Sequence, residues 1–322
     1  MNMRHIARRF AHAILLLAGV SFLSFALLQF APGDFFDALR LNPRISAATV
    51  EGLRAEYGLD RSLPVRYERW IRSVFRGELG LSLAYNSPVG PLLKARARNT
   101  LLLTVTATLL AWLLALPMGI WSAASRSKRS SRAYGVATSA LLAVPDLLLF
   151  LCLLLLAVRT GWLPTAGMTS PGLENASGWQ SIKDVALHLL LPSVGLALVT
   201  LPALVRHIRS AMLEALHSPF VRAARGHGIP RRRLLVRYAF PVAANPLTSL
   251  LGFSVATMLS ASLLVEVIFG WPGLGPLLLE ATLAKDIYVV VGTVMLSAIF
   301  LIAGSLLADV LLFASDPRIR VE

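Results

Sequence analysis

Charged side chains are scarce in this sequence. Only 15% of its 322 residues are Asp, Glu, Lys or Arg, whereas soluble domains carry about 25%. Apolar residues make up 56% of the chain, and its mean hydropathy is +0.68. Several apolar stretches reach the ~20 residues that an α-helix needs to cross the hydrocarbon core of a bilayer. The composition therefore argues against a soluble globular domain and indicates an integral membrane protein.

Cysteine is nearly absent, and the common catalytic patterns are missing. A single cysteine, Cys152, excludes an intrachain disulfide. The chain contains no Gly-x4-Gly-Lys-Ser/Thr phosphate loop, so we expect it not to bind ATP through one. It also contains no His-Glu-x-x-His or Cys-x-x-Cys metal pattern, and its six histidines are scattered. The sequence therefore gives no support for an enzyme active site, and we expect no metal or cofactor site in this chain.

Six apolar segments predict six transmembrane helices, at residues 11–31, 100–124, 134–158, 186–205, 243–268 and 288–313. The first is about 21 residues long, which is longer than the apolar part of a cleavable signal peptide, so we expect it to be retained. The fold class predicted from the sequence is therefore an all-α integral membrane protein.

The polar segments between these helices form two alternating sets with different charge. One set, residues 1–10, 125–133, 206–241 and 314–322, holds 17 Lys and Arg against three acidic residues. The other set holds 14 Lys and Arg against eleven acidic residues. The positive-inside rule then predicts that the first set, with both termini, is cytoplasmic. The net charge of +14 is thus interpreted as a topology signal and an attraction to lipid headgroups, and we expect no nucleic-acid partner.

The long polar segment after the first helix is predicted to be helical in part. Residues 47–58 read as a short helix that Gly58 ends, and Pro64 opens a second short helix through Phe75. We expect both helices at the outer membrane–water boundary. The chain is accordingly divided into residues 1–99, the first transmembrane helix with this outer segment, and residues 100–322, a core domain.

The most informative stretch is the basic inner segment, residues 206–241. Ser218-Pro219 is typical of a helix start, and Gly228 is placed to end a short helix. Pro230 then opens a second short helix that leads to Pro241. One face of the first helix is largely apolar, because i, i+3, i+4 and i+7 are occupied by Phe220, Ala223, Ala224 and His227.

That face is shaped to sit in a groove of another protein, with Arg222 and Arg225 available to acidic residues there. The alternative is an ordinary basic inner loop. The order of residues resembles the Ala-Ala-x3-Gly-x9-hydrophobic-x-hydrophobic-Pro loop of ABC importer permeases, at Ala223, Ala224, Gly228, Tyr238, Phe240 and Pro241. In that family the loop is a coupling helix that docks onto the ATPase subunit. The leading Glu of the general pattern is Arg222 here, a departure that fits the peptide-importer branch.

Further stretches extend the resemblance over nearly the whole chain. They are Phe30–Asp34, which includes Pro32, Gly33 and Asp34; Tyr57–Asp60; Gly77–Ser82; Pro88-Val89; Glu266–Gly275, which includes Pro272, Gly273 and Gly275; and Asp316–Arg318. In order and spacing they resemble the permeases of binding-protein-dependent dipeptide, oligopeptide and nickel importers. The roles of Glu266 and of the other signature positions are not implied by the resemblance.

The resemblance implies a six-helix permease of the type I importer fold in the bacterial inner membrane. It implies as partners a second, homologous permease, two ATPase subunits that bind ATP and Mg²⁺, and a periplasmic solute-binding protein. The implied mechanism is alternating access, with pivots at Gly228 and Pro241. The implied cargo is a peptide or a similar small solute, and the sequence does not distinguish among these. The alternatives are an ion-coupled secondary transporter, which should show inverted repeats or broken helices around an ion site, and a non-transporting membrane scaffold.

Two features inside the membrane segments have two readings each. Asp146, Glu266 and Asp309 could form a proton or cation path, or Glu266 and Asp309 could reach the interface or bond to backbone near a helix end. The fifth segment carries small residues at four-residue spacing, Thr248, Gly252, Ala256 and Ser260. This stripe packs either within the chain or at the seam with a second permease along the pathway, and we hypothesise the seam.

Overall fold

The computed structural model of the chain describes residues 3–30, 33, 35–36, 46–56, 61–125, 127–173 and 178–315. The chain divides into two compact units. The core unit comprises Thr100–Trp271 and Leu301–Glu322, and the N-terminal unit comprises Asn2–Asn99 and Pro272–Phe300. Residues 272–300, which the sequence division placed in the core domain, thus group with the N-terminal part of the chain.

The described residues are almost entirely helical, which confirms the all-α class. The helices are α1 (Met3–Phe30), α2 (Ala47–Glu56), α3 (Leu63–Phe75), α4 (Val89–Ala124), α5 (Lys128–Ala143), α6 (Asp146–Thr160), α7 (Trp179–His217), α8 (Pro219–Gly226), α9 (Arg231–Arg233), a π-helix (Leu234–Ala239), α10 (Phe240–Ile268), α11 (Leu274–Leu283) and α12 (Ile287–Ser315). Two-residue strands, β1 (Leu81–Ser82) and β2 (Ser87–Pro88), pair antiparallel in a short hairpin. The predicted outer helices correspond to α2 and α3, while Gly58 lies outside the described residues.

Five of these helical stretches are long and apolar enough to span a membrane: Arg8–Leu28, Val89–Ala124, Trp179–His217, Arg231–Ile268 and Ile287–Val310. A sixth span is reached only if the pair Arg132–Ala143 and Asp146–Thr160 is counted as one, and this pair is bent by 95°. The sequence predicted one membrane segment at 134–158, and the structure forms it from two helices that meet at this bend. Proline disfavours helical backbone at the residue before it, and the helix breaks at Val144-Pro145.

Other prolines lie inside helices without breaking them. Pro117 lies within α4, Pro192 and Pro202 within α7, and Pro246 within α10. In a bilayer there is no water to bond the backbone of an interrupted helix, and neighbouring helices and local adjustments satisfy the freed groups. This is why α7 is a single helix of 39 residues, although the sequence predicted only 186–205 as its apolar part.

In the N-terminal unit, aromatic side chains join α1 to α3. The ring of Phe25 lies 5.3 Å from that of Trp70 and 5.5 Å from that of Tyr67, centroid to centroid. The Trp70 indole donates a hydrogen bond to the carbonyl of Leu79 at 3.2 Å. Buried aromatic pairs at these separations stabilise beyond their area burial, by about 0.5–1.5 kcal/mol each. The short helix α3 is therefore anchored through one face.

The β-hairpin is held by one buried carboxylate in the same unit. Asp286 accepts hydrogen bonds from the Ser82 hydroxyl at 2.7 Å and from the backbone N–H of Ala84 at 3.0 Å. Beside it, the Tyr85 hydroxyl donates to the carboxylate of Glu280. Burial, and then this hydrogen bond, raises the pKa of Tyr85 to about 12. Hydrogen bonds to a carboxylate are stronger than those between neutral groups, so Asp286 fixes the hairpin to the start of α12.

In the core unit, α7 is the central helix and packs against α5, α6 and α10. A second buried carboxylate, Asp184 near the start of α7, accepts from the backbone N–H and the hydroxyl of Ser170, each at 2.7 Å. The neighbouring backbone N–H of Gly167 donates to the carbonyl of Phe269 at 3.1 Å. Segment 161–173 is thereby fastened to the first turn of α7 and to the end of α10.

Candidate functional site

The short helix α8 begins where the sequence predicted. Ser218 is extended, with φ −63° and ψ 147°, and it precedes a proline at the first helical position. Its hydroxyl does not cap α8 but donates back to the carbonyl of Ala215 at 2.6 Å, at the end of α7. Ser218 therefore joins the end of one helix to the start of the next, which separates α7 and α8 by a single residue.

The helix ends in a tight turn. Its last residue is Gly226, and Gly228 has φ +74°. A side chain at Gly228 would meet open space, so the requirement for glycine here is the left-handed backbone, which costs other L-residues roughly 1–2 kcal/mol. The sequence assigned Gly228 this role from position alone, and the turn is confirmed.

One side of α8 is buried against the second inner helix. Val221 and Ala224 are 1% and 7% exposed, and they pack against Leu234. The partly buried side chains around this cluster are Leu216, Ile229 and Tyr238. Ala224, which the sequence placed on the partner-facing side, thus belongs to the internal contact. The reason is that Leu234 and Tyr238, ten and fourteen residues after Ala224, fold back under the helix.

The opposite side of α8 is exposed and has an unusual composition. Phe220 is 47% exposed, and the other exposed side chains of this surface are Arg222, Ala223, Arg225 and His227. We name these five residues the α8 face. No Asp or Glu occurs between residues 215 and 265, so no carboxylate from this part of the chain neutralises the two arginines. A large apolar side chain among cations is typical of a surface that binds an acidic protein.

The second inner helix is continuous with a membrane span. It runs from Arg231 through the π-helix Leu234–Ala239 into α10 and ends at Ile268. The prediction that it ends at Pro241 is therefore wrong. Proline lacks an N–H and its ring clashes with the carbonyl four residues earlier. Before Pro241 the helix is a π-helix, in which a backbone N–H bonds to the carbonyl five residues earlier, as Phe240 N–H does to Leu235 C=O. This wider helical turn accommodates the proline.

Comparison with known proteins identifies the family of the chain. Residues 115–321 match the family described as "Binding-protein-dependent transport system inner membrane component", and residues 2–95 match the N-terminal region of such components. The chain belongs to this family of permeases. The oligopeptide transport system permease protein AppB of Bacillus subtilis (strain 168) is 34% identical over 320 residues, which is 98% of this chain and 99% of AppB.

A second relative and one solved structure agree with this placement. The oligopeptide transport system permease protein OppB of Mycobacterium tuberculosis (strain ATCC 25618 / H37Rv) is 33% identical over 99% of both chains. A chain of the MetNI methionine ABC transporter, solved in inward-facing conformations, superposes with a TM-score of 0.53. It is 17% identical and the match covers 68% of this chain and 96% of that one. This likeness shows that the permease has the fold of an ABC importer transmembrane subunit.

The small-residue stripe of the permease packs within the chain at its centre. A Cβ added to Gly252 would lie 2.1 Å from the Cβ of Ala308 in α12, and one added to Gly304 in α12 would lie 3.5 Å from the backbone N of Ala256. The hydroxyls of Thr248 and Ser260 donate to carbonyls of their own helix. For Gly252 and Ala256 the seam hypothesis is therefore replaced by packing of α10 on α12. Ser260 is exposed and remains a seam candidate with Thr248.

The three acidic residues of the membrane segments have different surroundings. Asp146 is exposed in the first turn of α6, directly after the bend. Glu266 is fully buried in the last turn of α10. Its backbone carbonyl accepts from Trp271 N–H at 2.9 Å. Asp309 is partly buried. The structure does not bring these three side chains together into a path.

The signature positions form turns and packing contacts. The carbonyl of Pro272 accepts from the Asn99 side chain at 2.8 Å, Gly273 is extended just before α11, and Gly275 is buried in its first turn. Gly33 has φ +80°, while Pro32 and Asp34 lie outside the described residues.

Among the described residues no cluster of three or more His, Cys, Asp or Glu could hold a metal ion. The hydrogen bonds that Asp184 and Asp286 accept from Ser170, Ser82 and Ala84 could not be predicted from any local sequence pattern.

Proposed function

We propose that this permease is a membrane subunit of an ATP-driven importer for peptides or similar small solutes, and that its α8 face docks the ATPase. The cargo class rests on the relatives named as oligopeptide permeases, which align along 98–99% of the chain. A second homologous permease would complete the pathway, a binding protein would deliver cargo from the periplasm, and two ATPases would bind ATP and Mg²⁺. The termini and the basic segment 206–241 would then be cytoplasmic, as the positive-inside rule predicts.

The observation that carries the docking proposal is the two-sided character of α8. Its inner side is held by Val221, Ala224 and Leu234, which are all less than 8% exposed. Its outer side presents the half-exposed Phe220 and two exposed arginines, Arg222 and Arg225. A short helix that is supported from behind changes little on binding, so less free energy is spent on ordering it. Aromatic residues and arginines are enriched in interface hot spots.

The connection from α8 to the membrane explains how docking could drive transport. The α8 turn at Gly228 leads into Arg231–Ile268, which is helical throughout. A displacement of α8 by the ATPase would reach the membrane part of α10 through the short turn 227–230 and through the packing of Val221 and Ala224 on Leu234. Gly228 remains a pivot in this mechanism, whereas Pro241 does not, because the helix continues through it. Alternating access would follow from two arrangements of the rigid helices.

Two adjacent alanines provide a matched test of the docking surface. In a Cys152→Ser background, Ala223→Cys places a thiol on the exposed side of α8, and Ala224→Cys places one on the buried side. With a thiol-to-amine cross-linker in membranes that contain the whole importer, Ala223→Cys should cross-link to an ATPase subunit and Ala224→Cys should not. Cross-linked partners are identified by mass spectrometry. If neither variant captures an ATPase, although both insert normally, the docking surface is elsewhere.

The energy source separates this function from the alternatives. Uptake by an ATP-driven importer is lost on ATP depletion and survives an uncoupler for as long as ATP is maintained. An ion-coupled secondary transporter shows the opposite pattern, and a scaffold subunit shows no effect on uptake when Ala223 and Phe220 are altered with assembly intact. Cells supplied with a labelled peptide provide the measurement.

A further inference from the structure

A cavity of about 700 Å³ lies in the core unit beside the second inner helix. Its walls come from the end of α4, from α5, and from the start of the second inner helix, through Trp121, Ser125, Tyr134, Arg231, Arg232 and Leu235. The volume lies within the ~300–1,000 Å³ typical of small-molecule sites. None of these residues belongs to the α8 face, so the proposed ATPase docking leaves the cavity unexplained.

The cavity carries positive charge without compensating acids. Neither 122–145 nor 215–265, the stretches that supply its polar walls, contains an Asp or Glu. Arg231 and Arg232 are exposed, and their guanidinium groups are always charged. Arginine forks bind phosphate oxygens in pairs. The electrostatics of the cavity therefore favour an anion that bears a phosphate group.

The aromatic walls indicate where that phosphate comes from. Trp121 lies in the last turn of α4, three residues before its end at Ala124, and is 69% exposed. Trp and Tyr are enriched where membrane spans leave the hydrocarbon core, at the level of the headgroups. Leu235 adds an apolar wall next to the arginines. A freely soluble phosphate gains nothing from Trp121 and Leu235, whereas a phospholipid has glycerol and acyl carbons to place against them.

We propose that this cavity binds the headgroup of an anionic phospholipid of the inner leaflet, with Arg231 and Arg232 on the phosphate and Trp121 and Tyr134 against the glycerol region. Basic pockets between membrane helices on the cytoplasmic side bind such headgroups. The two arginines repel the ammonium of a choline headgroup, so the site selects lipids with net negative charge, such as phosphatidylglycerol. The proposal uses the cytoplasmic orientation of segment 206–241 and needs no assumption about cargo or ATPase.

A bound lipid would have a defined structural effect. It would connect the end of α4 with the first turn of the second inner helix, which are separated by about a hundred residues in the chain. A ligand that binds only the folded state raises stability by mass action. Anionic lipid would therefore raise the unfolding temperature of the permease, and it would do so through these two arginines.

The test compares two charge-matched double variants. Arg231→Gln with Arg232→Gln removes two charges from the cavity, and Arg233→Gln with Arg237→Gln removes two exposed charges of the same segment that do not line it. Each delipidated protein is titrated with phosphatidylglycerol or phosphatidylcholine in detergent, and bound lipid is counted by native mass spectrometry. A further arm replaces lipid with inorganic phosphate. Gel filtration and thermal unfolding without lipid confirm that each variant is folded.

The proposal predicts tight phosphatidylglycerol binding by wild type and by the Arg233/Arg237 variant, and about tenfold or weaker affinity in the Arg231/Arg232 variant. Phosphatidylcholine should bind weakly to all three. If both double variants lose the same phosphatidylglycerol affinity, only the net charge of the segment matters, and the proposed cavity site is wrong. Binding and stabilisation by inorganic phosphate alone, undiminished by lipid, would identify a soluble phosphate as the ligand and overturn the lipid.

A second measurement locates the lipid independently. Phosphatidylglycerol with brominated acyl chains quenches nearby tryptophan, and the difference between wild type and Trp121→Phe isolates the contribution of Trp121. That contribution should be quenched at lipid concentrations that saturate the mass-spectrometric binding, and it should escape quenching in the Arg231/Arg232 variant. If the Trp121 contribution is quenched equally in wild type and in the Arg231/Arg232 variant, the lipid lies on the general surface, which contradicts the cavity site.

Discussion

At the scale of single residues, two buried helical glycines illustrate that contacts which are all too short for a Cβ can have different consequences. A Cβ on Gly252 would meet the Cα of Ala308 at 2.3 Å and its backbone N at 2.6 Å. A Cβ on Gly292 would meet the Cδ1 of Leu93 at 2.8 Å, which is the far end of a flexible side chain. Backbone cannot move without its helix, whereas a leucine can change rotamer.

Substitution of these glycines by alanine should therefore separate them. Gly252→Ala forces α10 away from α12 and should destabilise by about 1–3 kcal/mol, as overpacking of a filled core does. Gly292→Ala should cost under about 1 kcal/mol, because Leu93 can yield. The measurement is thermal unfolding of the detergent-purified permease, followed by size-exclusion chromatography. Gly135→Ala, with nothing within 4 Å, is the control, and a Gly252→Ala protein as stable as this control would contradict the contact.

The structural roles of some single residues can be predicted from the sequence, and those of others cannot. Gly228 was assigned correctly because a glycine two residues past a short helix has a recognised purpose. The ties from Asp286 to Ser82 and from Asp184 to Ser170 were not found, because the first joins residues 204 apart and neither partner belongs to a local pattern. Carboxylates that bind loops from a distance become visible only when the chain is folded.

At the scale of elements, α8 and its turn contain two glycines that differ in one property. Gly226 lies in the helix, Gly228 has φ +74°, and neither has a neighbouring atom within 4 Å of an added Cβ. Alanine at Gly226 should favour the helix by about 0.5–1 kcal/mol. Alanine at Gly228 should oppose the turn by about 1–2 kcal/mol.

The measurement for this pair is the affinity of ATPase subunits for the permease in nanodiscs, together with transport-coupled ATP hydrolysis. Gly228→Ala should weaken both, because the α8 face is no longer held at its working angle, while Gly226→Ala should leave the affinity unchanged or slightly improve it. Gly228→Asn should fall between, since asparagine tolerates the left-handed region. Equal effects of alanine at both glycines would show that backbone conformation at Gly228 is not what matters.

The boundaries of elements were predictable where side-chain chemistry is local. Helix α3 was expected from Pro64 and runs Leu63–Phe75, and α8 was expected from Ser218-Pro219. The predicted segments 134–158 and 186–205 run across prolines, yet the helix breaks at Pro145 and continues through Pro192 and Pro202. The difference comes from the neighbours: α7 is central and its freed backbone groups lie among α5, α6 and α10, whereas Val144 and Pro145 are exposed.

The orientation of α8 was predictable only in part. Its sequence has apolar residues on two sides, with Phe220 and Ala223 on one and Val221 and Ala224 nearer the other. Which side is covered depends on where Leu234 and Tyr238 fall, and no pattern within α8 itself gives their position. The same limit explains the stripe on α10, because the pattern that permits close approach does not say which helix approaches.

At the scale of the whole molecule, the charge asymmetry predicts which side of the membrane each surface faces. The α8 face belongs to the basic set of segments and Glu78, in the loop after α3, belongs to the other set. Single thiols test this in a Cys152→Ser background, because Cys152 is exposed and would react. Ala223→Cys and Glu78→Cys both place the thiol on an exposed position.

A membrane-impermeant thiol reagent applied to spheroplasts should label Glu78→Cys and leave Ala223→Cys unlabelled. Detergent permeabilisation should then expose Ala223→Cys to the same reagent. The comparison within each variant controls for differences in reactivity. Labelling of Ala223→Cys before permeabilisation would reverse the orientation, and with it both the proposed ATPase docking and the leaflet of the proposed lipid.

The uninterrupted helix from Arg231 to Ile268 has a mechanical consequence. Its 38 residues, at 1.5 Å each, make a rod about 57 Å long. A rod of that length tilted by only about 10° about one end moves its other end by about 10 Å, which exceeds the diameter of a peptide backbone. Angular motion too small to disturb a docked interface is thus geometrically sufficient to open or close a passage at the opposite surface of the bilayer.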